Sequence, residues 1–509
     1  MKKTLPAPPA PIKTVQPAAA VVWLFKARHF CARHWLFLSL FTIGSLLRIL
    51  AETAYHPAIL GYGDSYFYLA DAQALQPNSL HPLGYSVFLR LLAWTGNLMS
   101  VTIVQHVLGL LAAFLIYRLF MRFGVNRLLA AAAAAPLLLD AYVISFENFI
   151  LSEALVGFLF IAIVVLLFWS KRPRPVQLVG LGLALAAAAI TRSDAAIVAV
   201  PVEVYLLLSG GAHIRQRVLS AAVVLLAFLV PVAAYGAYHA RVDGAFAIDS
   251  KTGLFLYGRL APIANCSLLS GEQKKLCDPQ PVQKRQGPIW YIWSSASPVS
   301  KVFGYKGFDA PEPPLIRFDV AVLKNQWGEY GLSVLTQTAK YFKPYRTTGP
   351  QDAPMVDWKF PTKAQWTQTT FLAHGPFQPP LDASSSPRYL PSQRVANLLS
   401  QYQRFGYLPG MLMAAGVIAG VLPVLMGERS RQAKIALTFV ITGLAILLVK
   451  AATAQFSYRF LVPEQELFWV GGVLGLALLV PRLRPEQPAH AKIASAKKTH
   501  PAGSKITKK

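Results

Sequence analysis

"WLFLSLFTIGSLLRILA", residues 35–51, carries a single charge, Arg48, across a run long enough to enter a bilayer. Ten residues on comes "GYGDSYFYLADAQALQPNSLHPLGYSVFL", residues 61–89, which sets two acids, a histidine and four tyrosines between two of the most apolar parts of the chain. The contrast decides the fold. Apolar runs of this kind recur as far as "LFWVGGVLGLALLV", residues 467–480. Of 509 residues, 54% are hydrophobic and 14% charged, against about 25% charged in soluble domains. Lipid cannot hydrogen-bond a backbone, so the runs are expected to be helices. The chain reads as an all-α polytopic membrane protein of about ten transmembrane helices, the weakest around Val176–Ile190 and Ala195–Leu208.

A net charge of +26 would suggest nucleic acid in a soluble protein, but its placement argues against that partner. The basic residues gather in the tails and in alternate turns: Arg122 and Arg127, then Lys171, Arg172 and Arg174, then Arg215 and Arg217, then Arg429, Arg431 and Lys434. The opposite turns "SFENF", "TRSD" and "TAQFSYRFLVP" hold one arginine or none, so the positive-inside rule puts both termini in the cytoplasm. Lys and Arg at the head-group level also meet anionic membrane lipids. The layout that follows is a cytoplasmic basic tail (1–34), a transmembrane module (35–238), an extracytoplasmic segment (239–405), C-terminal transmembrane helices (406–481) and a second basic tail (482–509). Both tails are rich in Pro, Ala and Lys and are expected to be disordered. The first apolar run starts too far from residue 1 for a cleavable signal and reads as an anchor.

Two long segments then face outward. The first, 52–100, is expected to form short amphipathic helices lying in the head-group layer: "SYFYLADAQAL" after Asp64, and "HPLGYSVFLRLL" with Tyr85, Phe88, Leu89 and Leu92 on one face. The second, 239–405, is a mixed segment too long to be a connector. Within it Val320, Leu323, Trp327, Tyr330 and Leu335 fall close together on a helix expected to lie on the membrane or the bundle. Cys266 and Cys277 sit in this segment and read either as a disulfide closing a short loop or as two free thiols. No Walker loop, HExxH or clustered Cys/His site is present.

Asp64 has two readings. It stands where an N-cap belongs, and it stands in a loop where a lipid-borne phosphate and a water-borne acceptor can meet. Glu147, Glu153, Arg192, Asp194 and Arg459 lie at other outward ends; each alone reads as an interface anchor, and together they outline an outward polar cleft.

The order of an early acid in "GDSYFYLADA", then "HPLGY", "LSEAL", "ITRSDAAIVAVP" and "YRFLVP" resembles the GT-C superfamily of lipid-carrier-dependent glycosyltransferases. It looks most like bacterial relatives of the protein mannosyltransferase and aminoarabinose transferase groups. Unlike the acidic pair of the protein mannosyltransferases, Asp64 is followed by Ser65. The resemblance implies an enzyme that takes a sugar from a polyprenyl-phosphate donor outside the cytoplasm and inverts its anomeric carbon. The acceptor would be a cell-envelope glycan, lipid or protein. It also implies that Asp64 is the catalytic base.

That chemistry needs a carboxylate to deprotonate a hydroxyl and cations to meet a leaving phosphate. Arg259, Arg459 and Arg192 are the candidates for the phosphate, each also readable as a solvated or lipid contact. His81 and Tyr85 are candidates to position sugar or phosphate, or else a helix-start histidine and a core tyrosine. Glu153 is a candidate to help hold a divalent metal, although no ligand spacing marks one. Competing readings are a flippase or transporter of lipid-linked intermediates and a polysaccharide ligase or polymerase.

Overall fold

The computed structural model describes residues 19–208, 213–304, 309–363 and 392–480, with 365–366, 377, 388–389 and 483 besides. Residues 1–18 and 484–509, most of the two basic tails, lie outside the described residues.

The chain is a helical membrane protein. The first helix, α1 (Ala19–Tyr55), starts inside what reads as the N-terminal tail and turns at His34. The segment 52–100 supplies α2 (Tyr62–Ala74) and α3 (Gly84–Leu92), two short helices as expected. Then follow α4 (Met99–Arg122), α5 (Arg127–Leu139), α6 (Ala141–Asn148), α7 (Glu153–Phe168), α8 (Pro175–Thr191), α9 (Ala199–Leu208) and α10 (Ile214–Asp243). The second outer segment holds α11 (Thr252–Leu260), α12 (Gly271–Lys275), α13 (Pro288–Trp293), α14 (Pro298–Phe303), α15 (Glu312–Lys340) and α16 (Gln393–Tyr402). The last helices are α17 (Gly410–Leu425), α18 (Arg431–Thr453) and α19 (Gln465–Leu479).

The ten apolar runs are helical, but their lengths differ. Among the described residues four helices are long and apolar enough to cross a membrane: Arg28–Tyr55, Met99–Arg122, Ile214–Asp243 and Arg431–Thr453. A fifth span results if α5 and α6, bent by 45°, are taken as one. The bend has a local cause. Asp140 caps α6 by accepting from the backbone N–H groups of Tyr142 (2.8 Å) and Val143 (3.2 Å), which restarts the helix in a new direction. Helices α7, α8, α17 and α19 are apolar but have 17 residues or fewer, so at about 1.5 Å per residue they fall short of a hydrocarbon core of about 30 Å. Ahead of α9, Ser193–Val198 form a 3₁₀ turn that shortens the expected span from Ala195.

Apolar side chains of α4, α5, α7, α8, α18 and α19 form one core. Helices α17 and α19 press together through glycines: a Cβ on Gly472 would lie 2.4 Å from the Cα of Gly416. A second core joins α1, α2, α3 and α6 to Trp358, Phe360 and Leu399 of the second outer segment. A third, around Leu254, Tyr257, Tyr291 and Phe318, belongs to that segment alone. There a disulfide joins Cys266 and Cys277, and Arg285 gathers the carbonyls of Ala261, Ala264 and Asp278.

The outer segment is helical where described, apart from a short ladder pairing Gln365–Trp366 with Arg388–Tyr389. Helix α15 is bent. It kinks at Gln326, where the side chain turns to the backbone of Ile263 and Asn265. It buries Leu315, Phe318 and Val322, while Val320, Trp327 and Leu335 are exposed.

Candidate active site

Asp64 does not cap α2. The helix begins at Tyr62 after Gly61, and Ser65 serves its entry: the Gly61 N–H donates to Ser65 Oγ (2.8 Å), whose hydroxyl donates to the carbonyl of Ile150 (2.8 Å). Asp64 therefore lies in the first turn with its carboxylate directed elsewhere. Its Oδ2 receives Arg459 Nη1 at 2.5 Å and its Oδ1 lies 3.5 Å from His81 Nε2.

From Asp64 a ladder of alternating charge runs inward. Arg459 Nε reaches Glu153 Oε1 at 2.5 Å, and the same oxygen receives Arg192 Nη1 at 3.0 Å. Arg192 grips Asp194 with two parallel bonds of 3.1 Å, the fork geometry that only a guanidinium offers. Asp194 lies 3.8 Å from Lys450, which donates to Glu464 at 2.7 Å. Ring faces of Trp358 and Phe460 lie 5.3 and 5.9 Å from the Arg459 guanidinium carbon.

Exposure varies along the ladder. The Glu153 and Glu464 side chains are 0% exposed, Lys450 3%, Arg459 9%, Arg192 and Asp194 15% each, and Asp64 29%. Asp64 is its most exposed member. Burial alone would raise the Asp64 carboxyl, but the charge of Arg459 and the contact with His81 outweigh it and hold the group far below the usual carboxylate range. Asp71, on the same helix, shows the opposite: burial pushes it up to about 7 against the opposing pull of His81 and Asn78. Asp71 accepts from the Asn78 amide, and Asn78 Oδ1 accepts from the backbone N–H groups of Leu80 (2.7 Å) and His81 (2.8 Å), which fixes the start of "HPLGY".

Six of the residues singled out by sequence thus come together: Asp64, His81, Glu153, Arg192, Asp194 and Arg459. Three do not: Tyr85, Arg259 and Glu147. Tyr85 is fully buried and donates to Gln105 Oε1 at 2.9 Å, so it forms part of the floor under His81 and Tyr68 rather than the site wall. Arg259 has no ion pair with the ladder and binds Ala451 O (2.8 Å), next to Lys450, and Ser333 Oγ (2.6 Å). Lys450 and Glu464 were missed. Their signal was present in "LLVKAAT", a lone lysine ending an apolar helix, which membrane burial makes costly unless it is paired.

Glu153 meets two guanidiniums, which occupies one of its oxygens. Among the described residues no group of three His, Cys, Asp or Glu converges on a point where a metal could bind.

A second charged cluster lies elsewhere in the same bundle. Glu147 takes Arg48 Nη2 on one oxygen (2.8 Å) and His106 Nδ1 on the other (2.7 Å), and His106 Nε2 lies 3.7 Å from Glu52. Arg48 also donates to the carbonyls of Gly44, Leu137 and Leu138. No side chain in this cluster is more than 13% exposed.

Among solved structures, the protein O-mannosyltransferase complex of S. cerevisiae bound to the sugar donor aligns with 50% of this chain and 38% of its own at 14% identity and a TM-score of 0.35. The oligosaccharyltransferase AglB of Archaeoglobus fulgidus, in complex with an inhibitory peptide and a dolichol-phosphate, aligns over 94% of this chain and 53% of its own at 13% identity and 0.40. ArnT from Cupriavidus metallidurans bound to undecaprenyl phosphate aligns over 95% and 82% at 13% identity and 0.33. The chain thus spans about half or less of the first two. No curated protein sequence matches it. Residues 80–235, which include His81, Glu153 and Arg192 but neither Asp64 nor Arg459, match the family described as dolichyl-phosphate-mannose-protein mannosyltransferase.

Proposed function

We propose that the protein is a membrane glycosyltransferase that moves a sugar from a polyprenyl-phosphate carrier to a cell-envelope acceptor, with inversion at the anomeric carbon. The observation that carries this reading is the Asp64–Arg459 pair, in which the most exposed acid of a largely buried charge ladder is held by a guanidinium. The basic turns support an arrangement with both termini cytoplasmic, placing Asp64 on the extracytoplasmic side at the edge of the transmembrane module (35–238).

In the proposed step the acceptor oxygen attacks C1 of the sugar while Asp64 takes its proton. The C1–O bond to the carrier breaks, and the electron pair leaves with the lipid phosphate. Arg459, with Arg192 behind it, meets the charge that develops on that phosphate. The pairing suggests how the base is readied. Bound to Arg459, Asp64 is too weak a base to take a hydroxyl proton efficiently. A donor phosphate that draws the guanidinium toward itself loosens the pair and raises the basicity of Asp64 as the substrate arrives.

The test is purified protein incubated with a panel of polyprenyl-phosphate sugars, with donor consumption and product mass measured. Asp64→Asn is expected to stop turnover while the protein remains monodisperse. Full turnover by this variant would remove Asp64 from the chemistry. A preassembled glycan in the product would indicate a ligase, and a labelled donor crossing vesicles chemically unchanged would indicate a transporter.

A further inference from the structure

Arg259, on α11, is 3% exposed and forms no ion pair among the described residues. Burial pulls its pKa down, and only the hydroxyl of Tyr330 opposes that pull. A buried charge without a partner is costly, and a built-in countercharge is what the site lacks. The guanidinium lines a cavity of about 50 Å³ together with Ser333, Gln337, Gln351, Pro262 and Phe456. Gln337 Oε1 is buried and has no hydrogen-bond partner. Ser333 accepts from Arg259, which leaves its own hydroxyl proton to donate.

We propose that this cavity binds a small oxyanion, a carboxylate or a phosphate, that also carries a hydroxyl. Arg259 and Ser333 donate to the anionic oxygens, and Gln337 Oε1 accepts the hydroxyl. The volume has room for a few water-sized positions, which suits one acidic headgroup and excludes a whole sugar chain. The wall residues Ala454 and Phe456 lie on the segment that continues into Arg459, so an occupant here would bear on the strand of chain that presents the Asp64 partner. The binding claim does not rest on the proposed transfer reaction.

The full-length protein in uncharged detergent is titrated with inorganic phosphate and with D-glucuronate, and its melting temperature is followed. At least one probe is expected to raise it. Arg259→Gln is expected to weaken that probe by about tenfold or more, and Gln337→Leu to weaken it severalfold, as loss of one charged and one neutral contact implies. Asp64→Asn leaves the binding unchanged while ending turnover, so this proposal and the transferase reading fail separately. Nanodiscs with and without phosphatidic acid distinguish the sources: stabilisation by that lipid, lost in the Arg259 variant, assigns the anion to a lipid headgroup. Should Arg259→Gln not fold, Ser333→Ala and Gln337→Leu carry the comparison. No shift with any probe, or a shift that these variants leave intact, overturns the proposal.

Discussion

The Asp64 ladder and the Glu147 cluster use the same residue types in the same bundle, and each has an acid between an arginine and a histidine. Asp64 faces Arg459 and His81; Glu147 faces Arg48 and His106. They differ in what surrounds the acid. Around Glu147 both oxygens are occupied, Arg48 is anchored to three backbone carbonyls, and every side chain is nearly shut away. Around Asp64 one oxygen holds a short pair, the other only a contact of 3.5 Å, and the side chain is 29% exposed. A cluster closed to solvent, with both oxygens of its central acid taken, fixes helices against one another. An open one with a loosely held oxygen has capacity left for a substrate.

Asp64→Asn and Glu147→Gln should separate the two most sharply. The first is expected to lower turnover by about a thousandfold, within the range of a lost general base, with a fall in melting temperature smaller than that of the second. The second breaks a buried pair and should cost about 3–5 kcal/mol, seen as a lower melting temperature and less monodisperse protein, with normal turnover per folded molecule. If both variants lost stability equally, the contrast would be wrong.

Arg459→Gln should come next. In the wild type the Asp64 carboxyl is depressed, so the pair stabilises the fold at any pH above the unfolded value of about 4 and is lost only as pH falls through the much lower folded value. Rate is therefore expected to show no acid limb from Asp64 between pH 5 and 8. Without the guanidinium, burial dominates, the carboxyl rises, and a pH–rate profile should gain an acid limb alongside a loss of about 10- to 100-fold in kcat/KM.

The smallest effect should come from Asp71. Its folded value of about 7 lies above the unfolded one, so the folded state holds the extra proton and stability falls as pH rises from about 4 to 7. Asp71→Asn should flatten that slope in melting temperature, leaving the wild type the less stable of the two at pH 8. An unaltered slope would detach Asp71 from the titration.

Much of this was legible in the chain. Hydropathy marked the helices because lipid burial demands long apolar runs, and the outer loops stood out because polar groups are cheap only outside them. Asp64, Glu153, Arg192 and Arg459 were found by lying at outward ends. Glu147 also lies at such an end, and nothing in "SFENF" reveals that its partners, Arg48 and His106, close over it. Side-chain direction was equally hidden. Tyr85 sits on the apolar face of α3 and points at Gln105, and the break in α15 at Gln326 was not visible in its apolar spacing. Lys450 meets Asp194 and Glu464 only once α18 is packed beside the 3₁₀ turn after α8.

Gly84, in the middle of "HPLGY", has no functional group and yet governs the spacing of the site. A single methyl there would fall 2.7 Å from the Ile190 carbonyl oxygen, the Thr191 nitrogen and the Thr191 hydroxyl oxygen, at the very end of α8. Next along the chain comes Arg192. The bare backbone of α3 is thus the shim that sets how near the histidine of one loop comes to the arginine of another, and enlarging it by one carbon would alter the reach between two charged groups it never touches.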